Sequence, residues 1–110
     1  MSNILKVNKN DELDKVIEAN KYVVLDFYAD WCGPCKALAP VIQDVSKELA
    51  DVTFIKINVD QAEELKQIFK ISSIPTLVYF KDGQEVNKTF GFIPKPILLN
   101  NVNNLKNEIK

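Results

Sequence analysis

The sequence predicts an α/β domain: a mixed central β-sheet of about five strands flanked by about four helices, spanning residues 1–110 as one domain. Three observations predict it. Apolar runs rich in β-branched residues alternate with segments of helical periodicity, which argues for parallel strand pairing. Asp82-Gly83 lies between two strand-like runs and signals a tight hairpin, which adds an antiparallel edge. The chain has 110 residues, 46% of them hydrophobic and 26% charged, enough to fill one core without staples.

The predicted order is strand, helix, strand, helix, strand, helix, strand, strand, helix. Asp11–Ala19 carries Leu13, Val16 and Ile17 at helical spacing. Val23–Ala29 is nearly all apolar and reads as a strand buried on both faces, with one carboxylate, Asp26, inside it. Leu38, Val41, Ile42, Val45 and Leu49 form the apolar stripe of a long helix, which Pro40 should kink. Val52–Val59 reads as a strand. Asp60 with Glu63 resembles a capping box opening a short helix that bears Leu65, Ile68 and Phe69. Thr76–Phe80 and Glu85–Phe90 are the hairpin strands. From about Lys95, the residues Leu98, Val102, Leu105 and Ile109 line one face of a last helix. Its many Asn residues make it a weak helix former, so packing must hold it.

Composition narrows the function. Net charge is −1, and every basic residue is Lys. Without Arg there is no forked donor for phosphate or guanine, which argues against nucleic-acid binding. No apolar run is long enough to cross a membrane, and the N-terminus has no signal-peptide pattern, so the expected compartment is the cytoplasm. There is no His, which removes the commonest general base and metal ligand. Two cysteines in a reducing compartment stay reduced unless cycling them is their task.

Cys32 and Cys35 follow a buried strand and open a long helix. The first N–H groups of a helix lack internal partners and carry partial positive charge, so a thiolate placed there is stabilised and reactive. Residues three apart on a helical turn lie within disulfide range, so the pair can open and close with little backbone movement. Gly33 lets a partner chain approach, and Pro34 stiffens the first turn. The competing readings are inert thiols or half of a zinc site. A zinc site needs four ligands, and the chain has no His and no third Cys.

The run Trp31-Cys32-Gly33-Pro34-Cys35-Lys36 after an apolar strand resembles the active-site signature of the thioredoxin family. The likeness extends in register through Asp26, Pro40, Lys56, Asp60, Ile74-Pro75-Thr76, Gly83 and Gly91. Gly-Pro between the cysteines favours the reducing members over isomerases and oxidants of the same fold. The resemblance implies a thioredoxin fold and protein-disulfide reductase activity, with no bound cofactor and no metal. It makes Cys32 the attacking thiol and Cys35 the resolving one. It implies that Asp26, whose apolar neighbours should raise its pKa, moves a proton to or from Cys35 through water. It brings Lys56 towards Asp26, makes the bond before Pro75 cis and facing the cysteines, and joins Trp31, Gly33, Pro34, Val59, Ile74, Pro75, Gly91 and Phe92 into a docking rim. Implied partners are an NADPH-dependent thioredoxin reductase and disulfide-bearing clients such as ribonucleotide reductase, peroxiredoxin and methionine sulfoxide reductase, met by a monomer. The alternative is a thioredoxin-fold binding subunit or dedicated electron donor in which turnover of general clients is secondary. Tyr28, where many members have Trp, Ser72-Ser73, and the Phe92–Pro96 segment depart from the usual pattern and bear on partner preference.

Overall fold

A computed structural model describes residues 3–107. The elements in chain order are β1 (Ile4–Lys6), α1 (Asn10–Ala19), β2 (Tyr22–Tyr28), α2 (Gly33–Glu48), β3 (Val52–Asn58), α3 (Glu63–Ile68), β4 (Thr76–Lys81), β5 (Gln84–Phe90) and α4 (Lys95–Lys106). The strands form one five-stranded sheet in the order β1-β3-β2-β4-β5. β1, β3 and β2 run parallel, whereas β4 and β5 are antiparallel to their neighbours. The mixed sheet with four helices is the predicted fold, and each helix falls where its apolar spacing placed it. Ile109, the last residue of the expected α4 stripe, lies outside the described residues.

Strand alternation divides the interior into two layers. Val23, Leu25 and Phe27 of β2 join Ile55 and Ile57 of β3 against Leu13 and Ile17 of α1 and Leu65 of α3. Val24, Phe54, Leu77 and Tyr79 face the other way, onto Leu38, Ile42 and Val45 of α2 and Leu98, Val102 and Leu105 of α4. β2 is the middle strand, which is why residues 23–27 are all buried. The Asn-rich α4 is held by that apolar side, by Asn101 Nδ2 donating to the Tyr79 hydroxyl, and by Lys106 paired with Asp51 at 2.7 Å.

Local rules account for most boundaries. Asp82 (φ 52°) and Gly83 (φ 79°) both occupy the left-handed region, as a two-residue type I′ hairpin turn requires. Pro40 stands inside α2, which is helical on both sides of it, and Pro34 occupies its first turn, where a missing N–H costs nothing. The capping box expected at Asp60 and Glu63 does not form. The N-cap of α3 is Ala62 and makes no side-chain cap. The Asp60 carboxylate is instead taken up by the Trp31 indole. α3 ends in a Schellman turn: Ile71 N–H donates to the Lys66 carbonyl and Lys70 N–H to that of Gln67, with Lys70 left-handed at φ 55°. That turn sends the chain back towards the cysteines.

Candidate active site

The site lies at the C-terminal ends of β2 and β3, where α2 begins. Cys32 is the N-cap of α2, and its Sγ accepts a hydrogen bond from Cys35 N–H at 3.2 Å. The helix therefore directs one of its unpaired donors at the sulfur, the arrangement that favours a thiolate. Cys32 and Cys35 are joined in a disulfide with Cα atoms 5.2 Å apart, which establishes that the turn brings the two sulfurs together. Gly33 and Pro34 between them are exposed, with open space around the Gly33 α-carbon. A partner backbone can reach the disulfide there.

A second wall comes from distant chain. The Ile74–Pro75 bond is cis, and the Ile74 carbonyl oxygen lies 3.8 Å from Cys32 Sγ. Thr76 Oγ1 donates to the Ser73 carbonyl at 2.7 Å and braces this loop. Gly91 N–H donates to the Pro75 carbonyl at 2.7 Å, and Gly91 has a φ of 82° that other residues rarely adopt. The bond places Gly91 beside Pro75 and leaves the following Phe92 exposed.

Trp31 stands beside the cysteines, 70% exposed. Its Nε1–H donates to the Asp60 carboxylate at 2.8 Å, which fixes an otherwise free indole. Asp60 N–H in turn donates to Asn58 Oδ1 at 2.9 Å. The structure thus assigns Asp60 to the site, where sequence spacing assigned it to a helix cap. Trp31, Val59 and Ile74 border one groove of about 120 Å³, which also takes in Lys66 and Ile71. Val59 is only 4% exposed, so it backs this groove rather than offering a rim of its own. Of the expected docking residues, Trp31, Gly33, Pro34 and Phe92 are open to solvent, Ile74 and Gly91 are half-buried, and Pro75 and Val59 are buried.

Asp26 lies mid-strand in β2, 2% exposed. Its Oδ1 finds no hydrogen-bond partner among the described residues. Burial, opposed in part by the Lys56 ammonium, raises its pKa to about 6. The pairing of β2 with β3 sets Asp26 directly beside Lys56. Tyr28 and Lys56 share a cleft of about 260 Å³ with Cys35 and Lys36, so the neighbours of Asp26 and the second cysteine border one space with room for several waters. Among the described residues no cluster of three or more His, Cys, Asp or Glu side chains could hold a metal ion, and no helix is long and apolar enough to cross a membrane.

Comparison with known proteins follows the same pattern. The thioredoxin family model matches residues 4–104. The thioredoxin of Mycoplasmoides gallisepticum is 48% identical over 89 residues, covering 81% of this chain and 89% of its own. That of Chlamydia pneumoniae is 40% identical over 100 residues, covering 91% and 97%. Among solved structures, a mutant thioredoxin from Halobacterium salinarum superposes with a TM-score of 0.89 at 36% identity, covering 97% of this chain and 94% of that one. A chain from work on the thiol resolving mechanism of yeast mitochondrial 1-Cys peroxiredoxin via the glutathione/thioredoxin systems superposes with a TM-score of 0.87 at 31% identity, covering 94% and 99%. A likeness of this extent, carried by the fold and by the helix-capping cysteine pair alike, means that the chain belongs to the thioredoxin family and is a thiol–disulfide oxidoreductase.

Proposed function

We propose that the chain reduces disulfides in client proteins, with Cys32 attacking and Cys35 resolving. The observation that carries the assignment is the Cys35 N–H directed at Cys32 Sγ from the first turn of α2. The Cys32 thiolate attacks one sulfur of the client disulfide, and the other client sulfur leaves as a thiolate. Cys35, deprotonated, then attacks Cys32 Sγ in the mixed disulfide, and the second client sulfur leaves. The client gains two electrons and two protons, and Cys32–Cys35 becomes the disulfide. Asp26 accepts the Cys35 proton through water. A carboxyl titrating at about 6 is largely a carboxylate at neutral pH and still basic enough for that task. Lys56 moderates Asp26, a coupling supported by their pairing across β2 and β3.

Clients dock as extended segments against the backbone at Ile74 and Pro75, with Trp31, Gly33, Pro34, Val59, Gly91 and Phe92 around them. An NADPH-dependent thioredoxin reductase restores the dithiol. Peroxiredoxin, ribonucleotide reductase and methionine sulfoxide reductase are the client classes. The protein acts as a single-domain monomer in the cytoplasm and needs no bound cofactor.

The test mixes the protein with a disulfide-bonded test protein and excess dithiol and follows client reduction. Acceleration over dithiol alone is expected, and its absence overturns the reading. Cys35→Ser is expected to accumulate stable mixed disulfides, because the resolving thiol is gone. Trapping by Cys32→Ser alone reverses the two roles. Mass spectrometry of the trapped species identifies the clients.

A further inference from the structure

Asp26, Tyr28, Lys56 and Asn58 form a block of four on one face of the sheet. Residues 26 and 28 are same-face neighbours on β2, and the β2–β3 register sets Asp26 beside Lys56 and Tyr28 beside Asn58. Lys56 Nζ lies over the Tyr28 ring, 4.4 Å from its centroid, where the negative π face attracts an ammonium. The phenol end of Tyr28 interacts with the Asn58 side chain, and Asn58 is itself held by Asp60 N–H. A four-carbon Lys stem is otherwise free to carry its charge into solvent. Tyr28 and Lys56 also border the cleft that reaches Cys35.

We propose that Tyr28 is a positioning residue: its ring holds the Lys56 ammonium beside the Asp26 carboxylate, at the wall of the cleft that reaches Cys35, and so sets the proton affinity of Asp26. The charged and titratable groups around this point are Asp26 and Tyr28 from β2, Lys56 from β3, Asp30 from the following loop, and Cys35 and Lys36 from α2. β4 places the uncharged Leu77 opposite Asp26. The catalytic consequence rests on the assignment of Asp26 as the acid–base group for Cys35; the electrostatic coupling does not.

The sign of the effect separates positioning from packing. Loss of the ring frees Lys56 to move outward, which removes a nearby cation and raises the Asp26 midpoint. Water filling a vacated space lowers it. The experiment is a carboxyl 13C NMR titration of Asp26 in the full oxidised chain. Tyr28→Leu is expected to raise the midpoint by about half a pH unit, roughly a threefold change in proton affinity. Tyr28→Phe, which keeps the ring, leaves it unchanged. Lys56→Met raises it, and adding Tyr28→Leu to Lys56→Met raises it no further. An unchanged or lowered midpoint in Tyr28→Leu overturns the proposal, as does a rise that persists in the Lys56→Met background. The wild-type protein supplies a readout without substitution: the Lys56 Cε protons are expected upfield through the ring current, and random-coil positions overturn the proposal. The pH profile of mixed-disulfide resolution distinguishes the two readings. If the Asp26 midpoint moves in Tyr28→Leu while resolution is unaffected there and in Asp26→Asn, the positioning stands and the proton role of Asp26 fails.

Discussion

The two faces of β2 are made to different specifications. One presents Val23, Leu25 and Phe27 to α1 and α3, fully buried and wholly apolar. The other begins likewise with Val24 under α2 and α4, then changes to Asp26 and Tyr28 as the strand approaches the cysteines. β3 changes at the same level, from Phe54 to Lys56 and Asn58. The apolar face gains stability from each residue it buries. The polar end of the other face holds a carboxyl that burial disfavours in its charged form, together with a Lys that offsets only part of that cost. The difference teaches that this sheet is apolar along the whole of one face, whereas on the other the apolar core gives way to buried polar groups only at the end nearest the cysteines.

Substitutions can break or sharpen that contrast. The largest expected effect is on the apolar side. Phe27→Ala leaves a cavity among Ile57, Phe69 and their neighbours and is expected to cost about 3–5 kcal/mol in denaturant unfolding. Client reduction per folded molecule should persist. A loss below about 1 kcal/mol would show that the two faces do not differ in the way described.

Asp26→Asn comes next and has the opposite sign. The folded carboxyl keeps its proton up to about pH 6, against 3.8 for an unperturbed Asp. Between those values the native chain binds more protons than the unfolded one, so wild-type stability falls as pH rises through this window and then levels off. Asp26→Asn removes that dependence. It is expected to gain up to about 3 kcal/mol above pH 7 and to lose the advantage below pH 4, while slowing mixed-disulfide resolution near neutrality. Urea unfolding at a series of pH values measures it. A gain that does not vary with pH would assign the effect to packing instead of charge.

The smallest effect belongs to the turn that leaves α3. Lys70 is held left-handed at φ 55°, where a side chain is strained and glycine is not. Lys70→Gly is expected to raise stability by about 0.5–1 kcal/mol in thermal unfolding, less than the strain itself because glycine also loosens the unfolded chain. Destabilisation would mean that the Lys70 side chain makes contributions beyond its backbone.

How far the site is legible depends on how local its determinants are. Cys32, Gly33, Pro34 and Cys35 could be placed on a helix start because the preceding strand and the following stripe are both written in adjacent residues. Asp82-Gly83 forms its turn for the same reason, since two left-handed positions in a row need those residue types. The cis bond at Pro75 was expected only through family likeness; no local pattern distinguishes it from an ordinary strand-start proline. Asp60 was misjudged. Its spacing to Glu63 suits a cap, but the Trp31 indole, 29 residues away in the chain, competes for the carboxylate. Tyr28 stood out as a departure bearing on partners, yet its ring lies against Lys56.

By itself the sequence determined the succession of strands and helices, the apolar stripe of each helix, and the pair of thiols at the head of α2. Periodicity, turn chemistry and helix capping act over a few residues, so they are written in the order of the chain. Only the tertiary structure decided what faces those thiols. Bringing Ile74 within reach of Cys32, Asp60 to Trp31, and Lys56 over Tyr28 beside Asp26 depends on strand register and loop closure between distant segments. Those contacts are selected by the packing of the whole domain, and no local pattern encodes them.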